Sequence, residues 1–305
     1  MRQILAVTLL NLRSLPQRLG PSAVAIIGIA GVVVVLVAVL SIAEGFRAVM
    51  QGTGSPDRAL VMRSGADSEM TSGLSGPQAD LIKQGPGIAR DGQRPVASAE
   101  LYVIVDLPTR ATGTPANVPM RGIGPEAPLV RQEFSIVQGR MLQFGTNEVV
   151  VGRAASGQFA GLDVGTVIQS GQNAWNVVGH FETDGSVSET EIWIDARTLQ
   201  GAYRRGNSYQ SVLARLDSAQ AFDAFKDTLT TDPQLNVQVR REDEYYAGQS
   251  VMLTNLVRVV GFGIAGLMSL GAVFGAILTM YTAVATRARE IATLRALGFN
   301  SMAVI

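Results

Sequence analysis

The chain of 305 residues has no cysteine, one histidine and only two lysines, and charged side chains make up 16% of it. Without Cys there is no disulfide, no thiolate metal site, no iron–sulfur cluster and no cysteine nucleophile. With His180 as the single His, a multi-histidine zinc site is excluded as well. The two lysines, Lys83 and Lys226, follow Ile82 and Phe225 rather than glycine. A phosphate-cradling P-loop needs Gly-Lys followed by Ser or Thr, so the chain has no ATPase site of that kind. No G-x-S-x-G nucleophile elbow occurs either. The charged fraction lies well below the roughly 25% of soluble domains. Part of the chain is therefore expected in lipid.

Net charge is zero but unevenly laid out. Residues 52–250 hold 17 basic and 23 acidic side chains, while the flanks hold 8 and 2. No nucleic-acid partner is expected from so acidic a middle. Pro21–Ala43 and Val259–Ala285 run 23 and 27 residues without a charge. Each exceeds the ~20 residues that a helix needs to cross the hydrocarbon core. A buried soluble helix does not explain two such lengths. A cleaved signal peptide, suggested by Ser41-Ile42-Ala43, fits poorly because the apolar run is too long and has ~20 residues before it. Arg2, Arg13 and Arg18 precede the first span, and Arg287, Arg289 and Arg295 follow the second. This basic bias places both termini in the cytoplasm and the middle outside.

Further features refine that plan. Ile4, Leu5, Leu9, Leu12 and Leu15 have near-helical spacing, so residues 1–20 read as an amphipathic helix on the inner surface, set off by Pro16 and Pro21, or else as a frayed tail. The spans read as residues 21–43 and 251–285, with 44–250 as an outer domain whose ends extend the helices into a stalk. Val251–Val260 has no Gly or Pro, so the second helix can begin near Tyr246, with Arg258 at the outer interface or above it. Gly271 and Gly275 form a small-xxx-small pair that would let another membrane helix approach closely.

Alternating or apolar runs predict strands at 59–62, 97–105, 118–123, 148–151, 166–169, 174–181, 191–194, 209–215 and 235–239. Helices are predicted at 78–84, 196–203 and 219–228, and loops at 65–76 and 85–95. The fold class is α+β, a large outer domain between two transmembrane helices. Catalytic candidates are lacking. Gly122-Ile-Gly124-Pro-Glu-Ala127 matches a dinucleotide pattern, but the surrounding Pro119, Pro125 and Pro128 argue against strand–turn–helix. His180 ends an apolar strand and reads as structural. Glu182, Asp184, Glu189 and Glu191 read as a solvated hairpin tip rather than a calcium loop. No catalytic residue, cofactor or metal is expected.

After the second span comes Thr286-Arg-Ala-Arg-Glu-Ile-Ala-Thr-Leu-Arg-Ala-Leu-Gly298. Ile291, Leu294 and Leu297 can share a face, Arg287, Arg289, Glu290 and Arg295 ring the rest, and Gly298 can cap the helix. Such an element could dock in a partner's groove or lie on the membrane with snorkelling arginines. The segment resembles the R-x-R-E-I-x-x-L-R-A-L-G signature after the second membrane helix of FtsX-like permeases in the MacB/LolC-type ABC transporter superfamily. Thr286 and Ala292 depart from it. Asn11-Leu-Arg13, Val137-Gln-Gly-Arg140, Glu148-Val-Val-Val-Gly152, Val164-Gly-Thr166, Val177-Val-Gly179 and Glu191-Ile-Trp-Ile194 add to the likeness, the outer ones to a MacB-type periplasmic core domain.

The resemblance implies a non-catalytic permease subunit of a bacterial inner-membrane ABC transporter. A separate ATPase subunit would drive segment 286–298, with Ile291 and Leu294 as docking core and Glu290 and Arg295 as polar contacts. A second permease subunit, a periplasmic adaptor or client, and membrane lipids would complete the assembly. Such permeases carry four membrane helices, so residues 299–305 are expected to begin a third span in a truncated sequence. The alternatives are a two-span sensor or receptor, and an ATPase-linked regulator of a cell-wall hydrolase.

Overall fold

A computed structural model describes residues 19–170 and 172–296. The chain divides into two compact units, Phe46–Val251 and the helical flanks on either side of it. Among the described residues, two helices are long and apolar enough to cross a membrane.

The first, α1 (Leu19–Gly52), has 34 residues and is about 50 Å long at 1.5 Å per residue. Pro21 lies within α1 and does not mark its start among the described residues. The expected amphipathic helix at 1–20 otherwise lies outside the described residues. The second long helix is numbered α7 (Glu242–Thr286) because five shorter ones intervene; its 45 residues span about 68 Å. Both exceed the roughly 30 Å hydrocarbon core, so the boundaries at 43/44 and 250/251 mark changes of composition and not helix ends. Within the helical unit, Arg258 and Glu44 pair at 3.9 Å.

In the other unit, β1 (Arg58–Arg63) is followed by a 3-10 turn at Glu69–Thr71, β2 (Leu74–Ser75) and α2 (Gly76–Ile82). Next come the short hairpin β3 (Arg90–Asp91) and β4 (Arg94–Pro95), then β5 (Ala97–Pro108), β6 (Pro115–Ile123) and α3 (Ala127–Val130). There follow β7 (Ser135–Gly139), β8 (Glu148–Gly152), α4 (Arg153–Gln158), β9 (Val167–Ser170), β10 (Asn173–Glu182), β11 (Ile192–Asp195) and α5 (Ala196–Ala202). The unit ends with β12 (Ser208–Tyr209), β13 (Ser211–Arg215), α6 (Phe222–Thr231) and β14 (Val237–Arg241), from which α7 departs directly.

Ten strands form one sheet in the order β14-β1-β13-β5-β6-β11-β8-β10-β7, with β9 on β10. The β11–β6 and β10–β8 pairs are parallel and the other pairs along the sheet antiparallel. The long β5 joins two halves: its first four residues pair with β13 and its remainder with β6. Period-2 alternation assigns side chains to cores on opposite faces. In β1, Ala59 and Val61 join Ile82, Phe225 and Leu229 beneath α2 and α6, while Leu60 and Met62 join Tyr245 and Tyr246 of α7. In β11, Ile192 and Ile194 join the core around Trp175, while Trp193 stacks on Phe134 and touches Phe181.

Nearly all the predicted strands are present. The run at 209–215 breaks at Gln210 into β12 and β13, because the Gln210 side chain accepts from the Tyr102 N–H. Phe225 is fully buried in the α6 core. Phe225→Ala should lower stability by about 3–5 kcal/mol, measured by chemical denaturation of the full chain in detergent. A loss below 1 kcal/mol would mean that α6 is dispensable to the fold.

Candidate functional site

The root of α7 and the end of α1 meet the sheet in one place, all within Phe46–Val251. Thr53 caps α1: its hydroxyl donates to the Val49 carbonyl at 2.8 Å and accepts from the Val187 N–H at 3.0 Å. Gly54 follows with φ +95°, and a Cβ there would lie 2.7–2.9 Å from the backbone of Glu242 and Asp243. Only glycine satisfies both the left-handed conformation and the close approach.

Charge then fixes the root. Arg58, buried at the start of β1, donates from Nη1 to both oxygens of Glu133, and its Nε lies 2.5 Å from Glu242 Oε2. The Tyr245 hydroxyl accepts from the Glu69 N–H at 3.1 Å, and the Tyr245 and Tyr246 rings meet edge to face. Glu69 leads inward to Arg121 on β6, which is 2% exposed. Arg121 binds three carboxylates: Glu69 at 2.9 and 3.1 Å, Glu100 at 2.7 Å, and Glu191 through two contacts of 2.7 Å. Its guanidinium also lies over the Tyr102 ring at 5.0 Å. Arg131 holds the far side of Glu100 at 2.7 and 2.9 Å and covers the Trp193 ring at 5.2 Å. A cavity of about 190 Å³ opens beside this network, lined among others by Met50, Tyr102, Arg121, Tyr245 and Gln249.

Burial alone would push the Glu100 carboxyl up, but Arg131 and Arg121 outweigh it and hold the group at about 2. Burial likewise opposes the charge on both arginines, and the surrounding carboxylates override it in each case. The network is a buried set of charges with three acids on one guanidinium.

Several expectations change here. Only part of the acidic cluster is a solvated tip: Asp184 is exposed and Glu182 half-buried, but Glu189 and Glu191 are not. Glu191 is bound by Arg121 and Trp193 Nε1, and Glu189 is buried with its carboxylate accepting from the Thr183 and Gly185 N–H groups. Residues 65–76, read as a loop, carry Glu69 into the network. Gly122–Ala127 does run strand–turn–helix, contrary to the reading of its prolines, but α3 is a single turn of four residues. His180 Nε2 bonds the Leu162 carbonyl at 2.7 Å, with no nucleophile attached to that pair. Arg121 had no sequence signal beyond being a charge in a strand whose neighbours Met120 and Ile123 are apolar.

The expected coupling segment lies in the other unit. α8 (Ala288–Ala296) follows α7 after a turn at Arg287, and the Ile291 N–H bonds the Arg287 carbonyl at 2.9 Å. Arg289 and Arg295 are exposed, and Arg287 and Ile291 half-buried. The backbone of Glu290 and Leu294 belongs to α8, whereas Leu297, Gly298 and 299–305 lie outside the described residues. Gly271 and Gly275 line an apolar groove of about 370 Å³ with Gly28, Ile29 and Val32 of α1. The tight approach of α1 to α7 falls instead at Gly261, where a Cβ would meet Val39 at 2.6 Å.

Residues 22–232, well over half of the chain, match the model of the MacB-like periplasmic core domain. The chain belongs to that family. It is thus an ABC transporter permease with a MacB-like extracytoplasmic domain between membrane helices, the resemblance its motifs carried. Among solved structures, the extracellular domain of the noncanonic ABC-type transporter YknZ from Gram-positive bacteria is similar, with 15% identity over 60% of this chain and 100% of that one and a TM-score of 0.44. The periplasmic region of MacB from Actinobacillus actinomycetemcomitans is similar at 12% identity over 64% of this chain and 92% of that one, with a TM-score of 0.47. No curated protein matches the chain.

For this MacB-like domain, Arg121→Ala should cost about 3–5 kcal/mol, because three buried carboxylates lose their cation. Chemical denaturation checks it. The pH dependence has a definite sign. A carboxyl held at about 2 when folded and near 4.5 when free stabilises the fold above 4.5, and that stability drains as pH falls toward 2. Tm should therefore drop across that interval, with a shallower slope in Glu100→Gln than in wild type.

Proposed function

We propose that this permease works as a mechanical transmitter, coupling ATP hydrolysis by a separate ATPase subunit to movement of its outer domain for export or release of a substrate. The observation that carries the reading is the continuity of α7. It runs 45 residues without interruption from a root seated in the buried charge network to the turn before α8. A helix of about 68 Å conveys displacement along its axis only if both ends are held. Gly54, Arg58 and Tyr245 hold one end; α8 is the element through which a partner would hold the other.

In this reading the α8 segment docks on the ATPase in the cytoplasm, with Ile291 and Leu294 inward and Arg287, Arg289, Glu290 and Arg295 around them, and Gly298 ends it. Gly271 and Gly275 leave room for a helix of a second permease subunit, since an added Cβ at either meets nothing within 4 Å. The chain would sit in a bacterial inner membrane with both termini cytoplasmic. The outer domain would act on a periplasmic adaptor or client. Glu290→Ala with Arg295→Ala should reduce co-purification of the ATPase from solubilised membranes at least tenfold while membrane insertion stays intact. Undiminished recovery of the ATPase would remove α8 from the docking role, and recovery of no ATPase with the wild-type chain would favour a two-span receptor.

A further inference from the structure

The buried ion pairs that converge on the α7 root do not balance. Glu69, Glu100, Glu133, Glu191 and Glu242 supply five carboxyl groups against the guanidiniums of Arg58, Arg121 and Arg131. The imbalance is local to Arg58, one cation shared by Glu133 and Glu242. Arg58 serves Glu133 well, through the pair of contacts at 2.7 and 2.8 Å, and Glu133 keeps 22% of its side chain in solvent. Glu242 is 5% exposed, and although Arg58 Nε stands 2.5 Å from its Oε2, neither atom has a well-directed hydrogen bond. A sealed carboxylate that meets its one cation off-axis and shares it with a second acid is costly, whereas a neutral acid is less so.

The other groups facing Glu242 divide in sign. Arg58 comes from β1, Arg131 and Glu133 from the segment after α3, Glu100 from β5, and Tyr246 from its own helix. Burial is the largest influence and raises the carboxyl above its ordinary value, ahead of the opposing pull of Arg58 and Arg131. The positive end of α7 favours an anion at this position, but its field is smaller than the cost of sealing a charge.

We propose that Glu242 is a proton-binding site that sets how firmly the root of α7 is clamped to the sheet. As a neutral acid it stays packed between Arg58 and the Gly54 turn. On losing its proton to water it becomes a second anion beside Glu133, and the first turn of α7 gains by lifting toward solvent. Proton binding is independent of the transmitter reading; only the consequence for coupling rests on it. A test without ATPase therefore separates the two.

The full chain is placed in lipid nanodiscs and titrated upward from the ordinary carboxyl value of 4.5, with infrared detection of protonated carboxyl groups and parallel measurement of Tm. The folded state holds this proton more tightly than the unfolded state does, so stability falls as pH rises. A protonated-acid band should disappear with rising pH while Tm falls by about 2–4 °C. Glu242→Gln, which keeps the shape of the neutral acid, should fold, lack that band and hold a flat Tm over the interval. Glu133→Gln frees Arg58 for Glu242 and should move the titration to lower pH. A titrating band that persists in Glu242→Gln, an identical pH dependence of Tm in that variant, or an unmoved titration in Glu133→Gln would each overturn the assignment.

Discussion

The outer domain depends on one buried cation. Arg121 draws together Glu69 from a 3-10 turn, Glu100 from the strand that joins the two halves of the sheet, and Glu191 from the approach to β11. Each would be costly to bury alone, and together they satisfy one another. Replacing such a set by well-packed apolar side chains is often neutral or stabilising, so stability alone does not account for it. What the ions supply is placement, because each bond fixes a direction that hydrophobic contact leaves free. Arg121 thereby locks β5, β6 and the Glu69 turn into one register, and Glu69 passes that register to Tyr245 of α7.

From that constraint the two-faced strands follow. An edge strand or a sheet with one wet face would read as alternating apolar and polar residues. β1 instead reads Arg-Ala-Leu-Val-Met-Arg, because α2 and α6 cover one face and the α7 root covers the other. The same holds for β11, whose Ile-Trp-Ile-Asp is buried throughout. The polar network occupies the side of the sheet on which Trp193 and Tyr102 lie, with arginines stacked on both rings. Aromatic faces and carboxylates share the task of accommodating the guanidiniums, which are weakly hydrated and planar.

The regular elements were legible in the sequence to the extent that they obeyed a period. Strands such as 97–105 and 174–181 and the helix at 219–228 alternate or repeat clearly, and all are present. The short α3 and α4 carry no periodicity to read, and β7 pairs through its backbone while most of its side chains stay exposed. The charge network was illegible for a different reason. Glu191, beside an Asp-Gly turn, looks solvated until Arg121, 70 positions away, is brought against it. Long-range pairing of that kind leaves no local pattern. Segment 286–298 was conspicuous by its motif alone, since its apolar positions are too few to mark a core.

Gly54 shows why the junction is built this way. A long helix seated only in an apolar pocket could rotate or slide by a residue at little cost, since hydrophobic contact is non-directional. The α7 root is instead confined by three different kinds of constraint. The backbone of Gly54 abuts it, the Glu69 N–H binds its Tyr245 hydroxyl, and Arg58 faces its first carboxyl. Sliding by one residue would break all three at once. The proposed transmitter would need that stiffness along its axis, and it would also need a state in which the clamp yields. The proposed proton on Glu242 would supply the second, because a packed neutral acid can stay sealed whereas an ionised one gains by moving toward water.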